Sequence, residues 1–210
     1  MKAAIFDADG TLLDSMHIWQ ELGNRYLTQR GIPPEPGLGD ILYSMSLEEG
    51  CTYLKEHYGL PESSGKIEKS MEDILTAFYR SEVQLKPGAG DYLQKLYRRG
   101  IPMLVATSGR REPLQQAFRR LGIDGFFQKI LTCQELNTTK RTPDIYLEGA
   151  RCLGVGPEDT AVFEDVLYGI RTAGKVGFET FAVEDDTNRQ DREALREEAD
   201  HYICNFKELL

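Results

Sequence analysis

Residues 6–15 read FDADGTLLDS, and they directly follow a short apolar run at residues 3–6. The apolar run predicts a buried β-strand. Because alternate residues of a strand face the same side, Asp7 and Asp9 can meet in one small volume at its end, where Gly10 lets the backbone turn away. Two carboxylates this close repel each other unless they share a proton or a cation. The pattern favours a nucleophile beside a general acid–base with a divalent metal between them. Two acidic residues that end a strand in a solvated loop are the alternative.

The composition is that of a globular protein. Of the 210 residues, 40% are hydrophobic and 10% aromatic, which is enough apolar material for a packed core. This length suits one core domain with a modest insertion, or two small domains. The net charge of −9 and the pI of about 5.0 repel phosphate backbones, so we expect no nucleic-acid partner. A small phosphorylated substrate is compatible with this charge, because a metal ion and one or two lysines can reverse its sign locally.

The cysteine spacing and the hydropathy of the sequence indicate in which cellular compartment the protein is expected. No metal-binding spacing joins the four cysteines, which are Cys51, Cys133, Cys152 and Cys204. We expect reduced, mostly buried thiols in a cytoplasmic protein. No basic region followed by an apolar stretch is present at the start, so no signal peptide is expected. No run of about 18 apolar residues predicts a membrane span. Nothing in the sequence demands more than a monomer.

Residues 16–83 have a helical pattern throughout. Apolar side chains recur there at helical spacing in three segments, and loop-like breaks fall at residues 31–37 and 60–65. We therefore predict a small helical bundle inserted after the first strand. Trp19 is expected to anchor the core of this bundle, because large aromatic side chains at helical spacing usually pack; contact with a substrate is the alternative.

From residue 84 onward the pattern changes to alternating strands and helices. The predicted strands are residues 101–106, 129–132, 160–163, 178–183 and 201–204, with a highly charged helix near residues 188–199 before the last of them. This alternation predicts an α/β fold, a parallel sheet with helices on both faces. Residues 1–15 and 84–210 then form the core, and residues 16–83 form a helical cap. Sheets of this kind bind ligands at the carboxyl ends of their strands.

Polar residues follow three of the later predicted strands. Thr107 and Ser108 follow the strand at residues 101–106, Lys140 comes after the strand at 129–132, and Glu164 and Asp165 follow the strand at 160–163. A hydroxyl group and free backbone N–H groups before a helix can cradle a phosphate, and paired carboxylates are candidate Mg²⁺ ligands. Taken one at a time, helix caps and a solvated lysine are alternatives. Together with Asp7 and Asp9, these residues supply the nucleophile, proton carrier, cation, metal ligands and donors that a phosphoryl site needs.

The chain resembles the haloacid dehalogenase superfamily, and it is most similar to the β-phosphoglucomutase-like phosphatases, which carry a helical cap between the first and second motifs. The matching segments are residues 7–15, Thr107-Ser108, Lys140 with Pro143-Asp144, and Glu164-Asp165 with Gly169-Ile170. The resemblance covers essentially the whole chain and implies a Rossmann-like core. Two positions depart from the family pattern: Arg141 stands where proline is usual, and Val166 where serine is common. Neither departure removes a group expected to touch phosphorus.

The resemblance implies a phosphatase that acts on a small phosphorylated metabolite, with Mg²⁺ as cofactor. Asp7 would attack phosphorus and form an aspartyl-phosphate. Asp9 would give a proton to the leaving alcohol and later take one from the attacking water. The ion would be held by the carboxylates of Asp7 and Asp165 and by the backbone carbonyl of Asp9. Glu164 is expected to contact the metal ligands without binding the ion itself, or to reach the ion through a water molecule.

The same resemblance assigns phosphate binding to the Thr107 hydroxyl, the Ser108 backbone N–H and Lys140, and it makes the cap a lid that selects the leaving group. A phosphosugar mutase is an alternative, but mutases carry a cap arginine where this chain has Leu47. Phosphonate hydrolases and dehalogenases lack the second aspartate, so Asp9 argues against both. A catalytically inactive binding module is a further alternative, but each of the four motifs keeps its functional groups, which argues against it.

Overall fold

A computed structural model describes all 210 residues of the chain. The residues form two compact units. The first comprises Met1–Ser15 and Val83–Leu210, and the second comprises Met16–Glu82. None of the helices combines the length and the apolar character that a membrane span requires.

The first unit is built on a six-stranded sheet in which every pairing is parallel. Its strands are β1 (Ala3–Phe6), β4 (Met103–Thr107), β5 (Phe127–Thr132), β6 (Thr160–Glu164), β7 (Glu179–Val183) and β8 (His201–Ile203). They lie in the order β5-β4-β1-β6-β7-β8. A separate antiparallel pair joins β2 (Leu13–Asp14) to β3 (Gln84–Leu85). The prediction of an α/β fold with a parallel, Rossmann-like sheet is confirmed.

The central strand β1 is buried along its whole length, as is typical of a parallel strand covered on both faces. Its last residue, Phe6, pairs with Val105 of β4 on one side and with Phe163 of β6 on the other. Because the three strands run in the same direction, the residues that follow them emerge at one edge of the sheet. This register brings the segments after β1, β4 and β6 together.

Helices cover both faces of the sheet, and they are α5 (Ala89–Arg98), α6 (Arg111–Arg120), α7 (Asp144–Leu153), α8 (Leu167–Lys175) and α9 (Arg192–Glu198). Consecutive strand residues point to opposite faces. Ile5 therefore packs in a cluster with Tyr146 of α7, whereas Phe6 stacks on Phe163 with ring centroids 4.5 Å apart. Tyr92 of α5 packs against the same Phe163 ring. Each such side chain contributes about 1.5–3 kcal/mol by its burial.

The second unit is a helical bundle of α1 (His17–Thr28), α2 (Leu38–Tyr43), α3 (Leu47–His57) and α4 (Ser64–Ser81). Its core combines apolar residues from all four helices, among them Leu22, Leu42, Leu54 and Ile67. The short helix α2 is an addition to the predicted pattern. Its six residues bury only Leu38 and Leu42, which is too few to produce a helical period in the sequence.

The expectation that Trp19 anchors this core is wrong. Its side chain is 37% exposed and lines a cavity of about 260 Å³ within the second unit. The buried face of α1 contains Ile18, Leu22 and Tyr26, which recur every four residues. Gly23 and Leu27, one and two turns after Trp19 on the same side of the helix, are also buried. This side of α1 therefore enters the core only after the first turn, in which Trp19 stands.

Two further expectations need correction. Only Cys51 and Cys133 are buried, while Cys152 is half-buried and Cys204 is exposed, and all four thiols are free. The predicted charged helix at residues 188–199 is shorter than expected. A 3-10 segment with a kink occupies Asp186–Asp191, and the regular helix α9 begins only at Arg192. This segment becomes part of the site described next.

Candidate active site

Three acidic residues meet where β1 and β6 end. Asp7 follows β1, while Glu164 ends β6 and Asp165 follows it; all three are buried. One carboxylate oxygen from each of them lies within 4.8 Å of the other two. The register of β1 beside β6 accounts for the meeting, because Asp7 donates its backbone N–H to the carbonyl of Phe163 at 2.9 Å.

Lys140 inserts its ammonium group among these acids. The side chain is only 3% exposed, and its Nζ contacts Oδ1 of Asp7 and lies 2.5 Å from Oε1 of Glu164. Burial lowers the pKa of Lys140, but the adjacent charges of Asp7 and Glu164 outweigh that effect and leave the pKa above its ordinary value. Lys140 is therefore a cation held at the candidate nucleophile, and the alternative of a solvated lysine is excluded by its burial.

The acidic groups carry more negative charge than one lysine can balance. Burial, opposed by the charge of Lys140, raises the pKa of Asp7 above its ordinary value. Burial, together with the charges of Asp7 and Glu164, raises the pKa of Asp165 well above its ordinary value, and burial raises the pKa of Glu164 to about 7. Such shifts mark a place where the ionised forms need another cation. A buried cluster of carboxylate oxygens is a ligand set that Mg²⁺ accepts.

Glu164 is fully occupied by hydrogen-bond donors. Its Oε1 accepts a 2.8 Å bond from the hydroxyl of Tyr146, in addition to the contact with Lys140. Its Oε2 accepts from the backbone N–H groups of Asp165 and Val166, at 3.2 and 3.4 Å. Glu164 thus fixes Lys140 in place. Tyr146 has no place among the predicted site residues, and its apolar helical position gave no sign of this contact.

Asp165 is held on both sides by neutral donors. The Thr11 hydroxyl lies 3.2 Å from its Oδ1 and also lies 3.4 Å from Oδ2 of Asp7. The side-chain amide of Asn188 donates to its Oδ2 at 2.8 Å. Neither Thr11 nor Asn188 is among the predicted site residues. Thr11 could have been found, because it lies inside the first motif, whereas Asn188 lies in a hydrophilic segment with no recognisable pattern.

Asp9 lies at the more open side of the site and is half-buried. Ser15, which is fully buried, donates its hydroxyl to Oδ1 of Asp9 at 2.7 Å. A Cβ placed on Gly109 would lie 3.0 Å from Oδ2 of Asp9 and 3.2 Å from the hydroxyl oxygen of Thr107. The segment that follows β4 therefore lies directly against Asp9, which leaves one carboxylate oxygen oriented by Ser15 and the other beside this segment.

Thr107 and Ser108 differ in their exposure. Thr107 is buried, and its hydroxyl oxygen accepts the backbone N–H of Gly109 at 2.8 Å, so its own O–H remains available to donate. Ser108 is exposed, with its hydroxyl 3.6 Å from the thiol of Cys133. The structure thus brings Thr107 beside Asp9 at the same edge as Asp7, as the strand-end argument predicts.

The loop that carries Lys140 is closed by side-chain hydrogen bonds. The Thr142 and Thr138 hydroxyls donate to the same oxygen of Asp144, at 2.5 and 3.2 Å. Arg141, which replaces the usual proline, turns outward and places its guanidinium 4.3 Å from the ring centroid of Tyr168, a cation–π geometry. The departures in this motif therefore leave the position of Lys140 intact.

The sequence profile described as haloacid dehalogenase-like hydrolase matches residues 4–183. This chain belongs to that family. The match includes five of the six strands of the parallel sheet, all but β8, as well as the acidic residues described above and the whole of the second unit. The prediction of a phosphatase-type enzyme of this family is thereby confirmed.

Relatives of known structure or description agree with the family. The chain is 27% identical over 179 residues to the phosphorylated carbohydrates phosphatase of Thermotoga maritima, covering 85% of this chain and 83% of the relative. It is 29% identical to a β-phosphoglucomutase of Mycobacterium bovis, covering 100% and 92%. A crystal structure of a candidate β-phosphoglucomutase from Thermotoga maritima superposes with a TM-score of 0.87 at 25% identity, covering 97% of this chain and 94% of that one. The expected membership of the haloacid dehalogenase superfamily is confirmed, and the chain is similar both to phosphatases and to β-phosphoglucomutases of that superfamily.

Proposed function

We propose that this protein is a Mg²⁺-dependent phosphatase that hydrolyses a small phosphomonoester, a sugar phosphate or a similar metabolite, through an aspartyl-phosphate intermediate. The observation that carries the proposal is the buried contact between the ammonium of Lys140 and the carboxylate of Asp7. A carboxylate that attacks a phosphoryl group is an anion approaching an anion. A buried cation at the nucleophile reduces that repulsion strongly, because the local dielectric is low. The relative named as acting on phosphorylated carbohydrates supports the substrate class.

The donor set fits Mg²⁺, since every candidate ligand is an oxygen and the acidic groups outnumber the lysine. In this proposal the ligands are the carboxylates of Asp7 and Asp165 and the backbone carbonyl of Asp9. Glu164, whose oxygens already accept hydrogen bonds, supports Lys140 instead. When bound, the ion would neutralise phosphoryl oxygens of the substrate.

Each residue of the site has a separate role in the proposed reaction. A carboxylate oxygen of Asp7 forms a bond to phosphorus while the bond to the ester oxygen breaks, and Asp9 gives its proton to that leaving oxygen. Asp9 next takes a proton from a water molecule, and the oxygen of that water attacks phosphorus. The bond between phosphorus and Asp7 breaks, which frees the Asp7 carboxylate and releases inorganic phosphate. The Ser15 hydroxyl, 2.7 Å from Oδ1 of Asp9, holds the carboxyl group during both transfers. The Thr107 hydroxyl and the Ser108 backbone N–H hold phosphoryl oxygens, and Lys140 holds Asp7.

The test is release of phosphate from a chromogenic aryl phosphate and from a panel of sugar phosphates, with Mg²⁺ and with EDTA. Asp7→Asn is expected to reduce turnover to background, because the amide oxygen is a poor nucleophile, while the unfolding midpoint stays near that of the wild type. Asp14→Asn is the matched control, since Asp14 lies in the same motif but is exposed. Near-normal hydrolysis by Asp7→Asn would refute the assigned nucleophile.

A phosphosugar mutase is the second candidate, and the 29% identity to a β-phosphoglucomutase favours it. Both functions use the same aspartyl-phosphate chemistry, so the site described above serves either. Leu47 at the start of α3 argues for the phosphatase, because an apolar side chain offers no charge for a second phosphate. Conversion of a hexose 1-phosphate into its 6-phosphate would identify the mutase. Absence of any turnover with either substrate type would favour an inactive binding module. Selection of the leaving group by Met16–Glu82 stays a prediction.

A further inference from the structure

One side chain outside the predicted motifs makes two hydrogen bonds to a candidate metal ligand. The amide nitrogen of Asn188 donates to the side-chain Oδ2 of Asp165 at 2.8 Å and to the backbone carbonyl of the same residue at 3.1 Å. Asn188 lies 23 residues further along the chain, in the kinked 3-10 segment after β7. A single amide that bonds both the main chain and the side chain of one residue fixes the direction of its carboxylate.

The turn that presents Asn188 is itself held by a buried acid. Asp185 accepts the backbone N–H and the hydroxyl of Thr187 on its Oδ1, at 2.9 and 2.5 Å. Its backbone carbonyl accepts the N–H of Asn188 at 3.2 Å. Because Asp185 is almost fully buried, these bonds are shielded from water and the turn has one favoured conformation.

A lysine completes the support. Lys86 donates from Nζ to Oδ2 of Asp185 at 2.6 Å and to the carbonyl of Glu184 at 3.1 Å. The backbone N–H of Lys86 donates to the carbonyl of Leu12 at 2.8 Å. A continuous set of contacts thus runs from the loop after Asp9, through the pair of Lys86 and Asp185, to Asn188 and Asp165.

We propose that Asn188 is the positioning residue of Asp165, and that the ion pair of Lys86 and Asp185 holds Asn188 in place for that task. This inference rests on the proposed function. Asp165 lies among like charges, and with only the Thr11 hydroxyl at its Oδ1 its Oδ2 would be free to turn away from them. Asn188 prevents that rotation through a neutral amide, so the negative charge of Asp165 stays available to a cation. A lysine or arginine at position 188 would neutralise that charge and compete with the metal.

The experiment measures Mg²⁺ binding in the absence of substrate, by titration calorimetry, and compares it with the Mg²⁺ dependence of turnover. Asn188→Ala is expected to weaken Mg²⁺ binding about 10- to 100-fold, which is the usual effect of removing the partner of a metal ligand. Saturating Mg²⁺ should restore most of kcat, because no group that touches phosphorus is lost. Asn188→Gln, which keeps the amide donor, should recover part of the affinity. Asp185→Asn should weaken binding less than Asn188→Ala does.

The matched control is Asp186→Ala. Asp186 lies in the same 3-10 segment, but its side chain is exposed and pairs only with Arg189. It is expected to bind Mg²⁺ like the wild type. The unfolding midpoint of each variant, measured without metal, shows whether that variant folds. If Asn188→Ala does not fold, Asn188→Ser is used in its place. Wild-type affinity in a folded Asn188 variant would overturn this inference alone. A wild-type protein that binds no Mg²⁺ would overturn the proposed function and this inference together.

Discussion

The ammonium of Lys140 lies 2.5 Å from Oε1 of Glu164, and the hydroxyl of Tyr146 donates to that same oxygen at 2.8 Å. Glu164 therefore receives a charged and a neutral donor on one oxygen, while its other oxygen accepts two backbone N–H groups. This arrangement fixes the position of Lys140 before any substrate arrives. A cation already in place costs no reorganisation when negative charge develops.

Replacement of Lys140 by methionine is expected to reduce kcat/KM about 100- to 1,000-fold, the usual loss when one charged or donor group of an active site is removed. The same change leaves three buried carboxylates without their cation. Loss of one partner of a buried ion pair costs about 3–5 kcal/mol of stability. Phosphate release measures the loss of kcat/KM, and urea unfolding measures the loss of stability. Lys129→Met is the control, because Lys129 lies on β5 and is exposed. Equal activity of both variants would contradict the role of Lys140.

Gly169 of α8 lies directly against the carboxyl group of Glu164. A Cβ added there would lie 2.8 Å from Cδ of Glu164 and 2.9 Å from the hydroxyl oxygen of Tyr146. Both groups are buried and hydrogen-bonded, so neither can move freely. Gly169→Ala is expected to destabilise the fold by about 1–3 kcal/mol through overpacking, and to lower turnover by displacing Lys140.

The control for that substitution lies on the same helix. At Gly174 an added Cβ meets only a methyl group of Thr180, at 3.9 Å. Gly174→Ala should therefore stabilise the protein by up to about 1 kcal/mol, since alanine has the higher helix propensity. Urea unfolding of both variants checks the pair. A stability loss of equal size at the two positions would show that helix α8, and not the contact with Glu164, is responsible.

Sequence reasoning located Asp7, Lys140 and Asp165 because each follows a predicted strand, and parallel strands place such residues at one edge. The order of the strands was not predicted, because the crossover rule fixes the hand of a strand–helix–strand unit and not which strands lie beside β1. The assembly of the acidic edge was thus implied by the order of apolar and polar residues, without knowledge of any distance.

The supporting contacts could not be predicted in the same way. Asn188 reaches Asp165 from a kinked 3-10 segment, and such segments have no hydrophobic period that a sequence could reveal. Tyr146 looked like an ordinary apolar helix residue, and only the packing of α7 on the sheet shows that its hydroxyl meets Glu164. Trp19 was misplaced for a related reason: the sequence gives the period of the helix, but not at which turn its apolar side enters the core.

Asp185 provides a test of acid sensitivity. Burial alone would raise its pKa, but the bonds from Lys86 and Thr187 outweigh burial and leave the pKa below its ordinary value. Because the folded-state pKa is lower than the unfolded one, the stabilisation is present above about pH 4 and is lost as the pH falls through the folded-state value. Asp185→Asn should therefore be less stable than the wild type by about 1–3 kcal/mol at pH 7. That difference should shrink below about pH 4.

Unfolding in urea at pH 7, 5 and 3 measures this difference. Asp186→Asn is a suitable comparison, because its exposed carboxylate should give a small difference at every pH. A gap between wild type and Asp185→Asn that stays constant from pH 7 to pH 3 would contradict a depressed pKa at this position.

Removal of the divalent cation should lower the stability of the first unit. Asp7, Glu164 and Asp165 are buried together, so a bound cation relieves repulsion that exists only in the folded state. At a Mg²⁺ concentration 100 times its Kd the stabilisation is about 2.7 kcal/mol, which corresponds to a rise of about 5–10 °C in the unfolding midpoint for a chain of this size. EDTA should reverse the rise.

The control is a variant that carries both Asp7→Asn and Asp165→Asn. Its unfolding midpoint without metal should be higher than that of the wild type, because two of the repelling charges are gone. Mg²⁺ should no longer shift that midpoint. A Mg²⁺-dependent rise of the same size in that variant would show that the ion binds elsewhere on the protein.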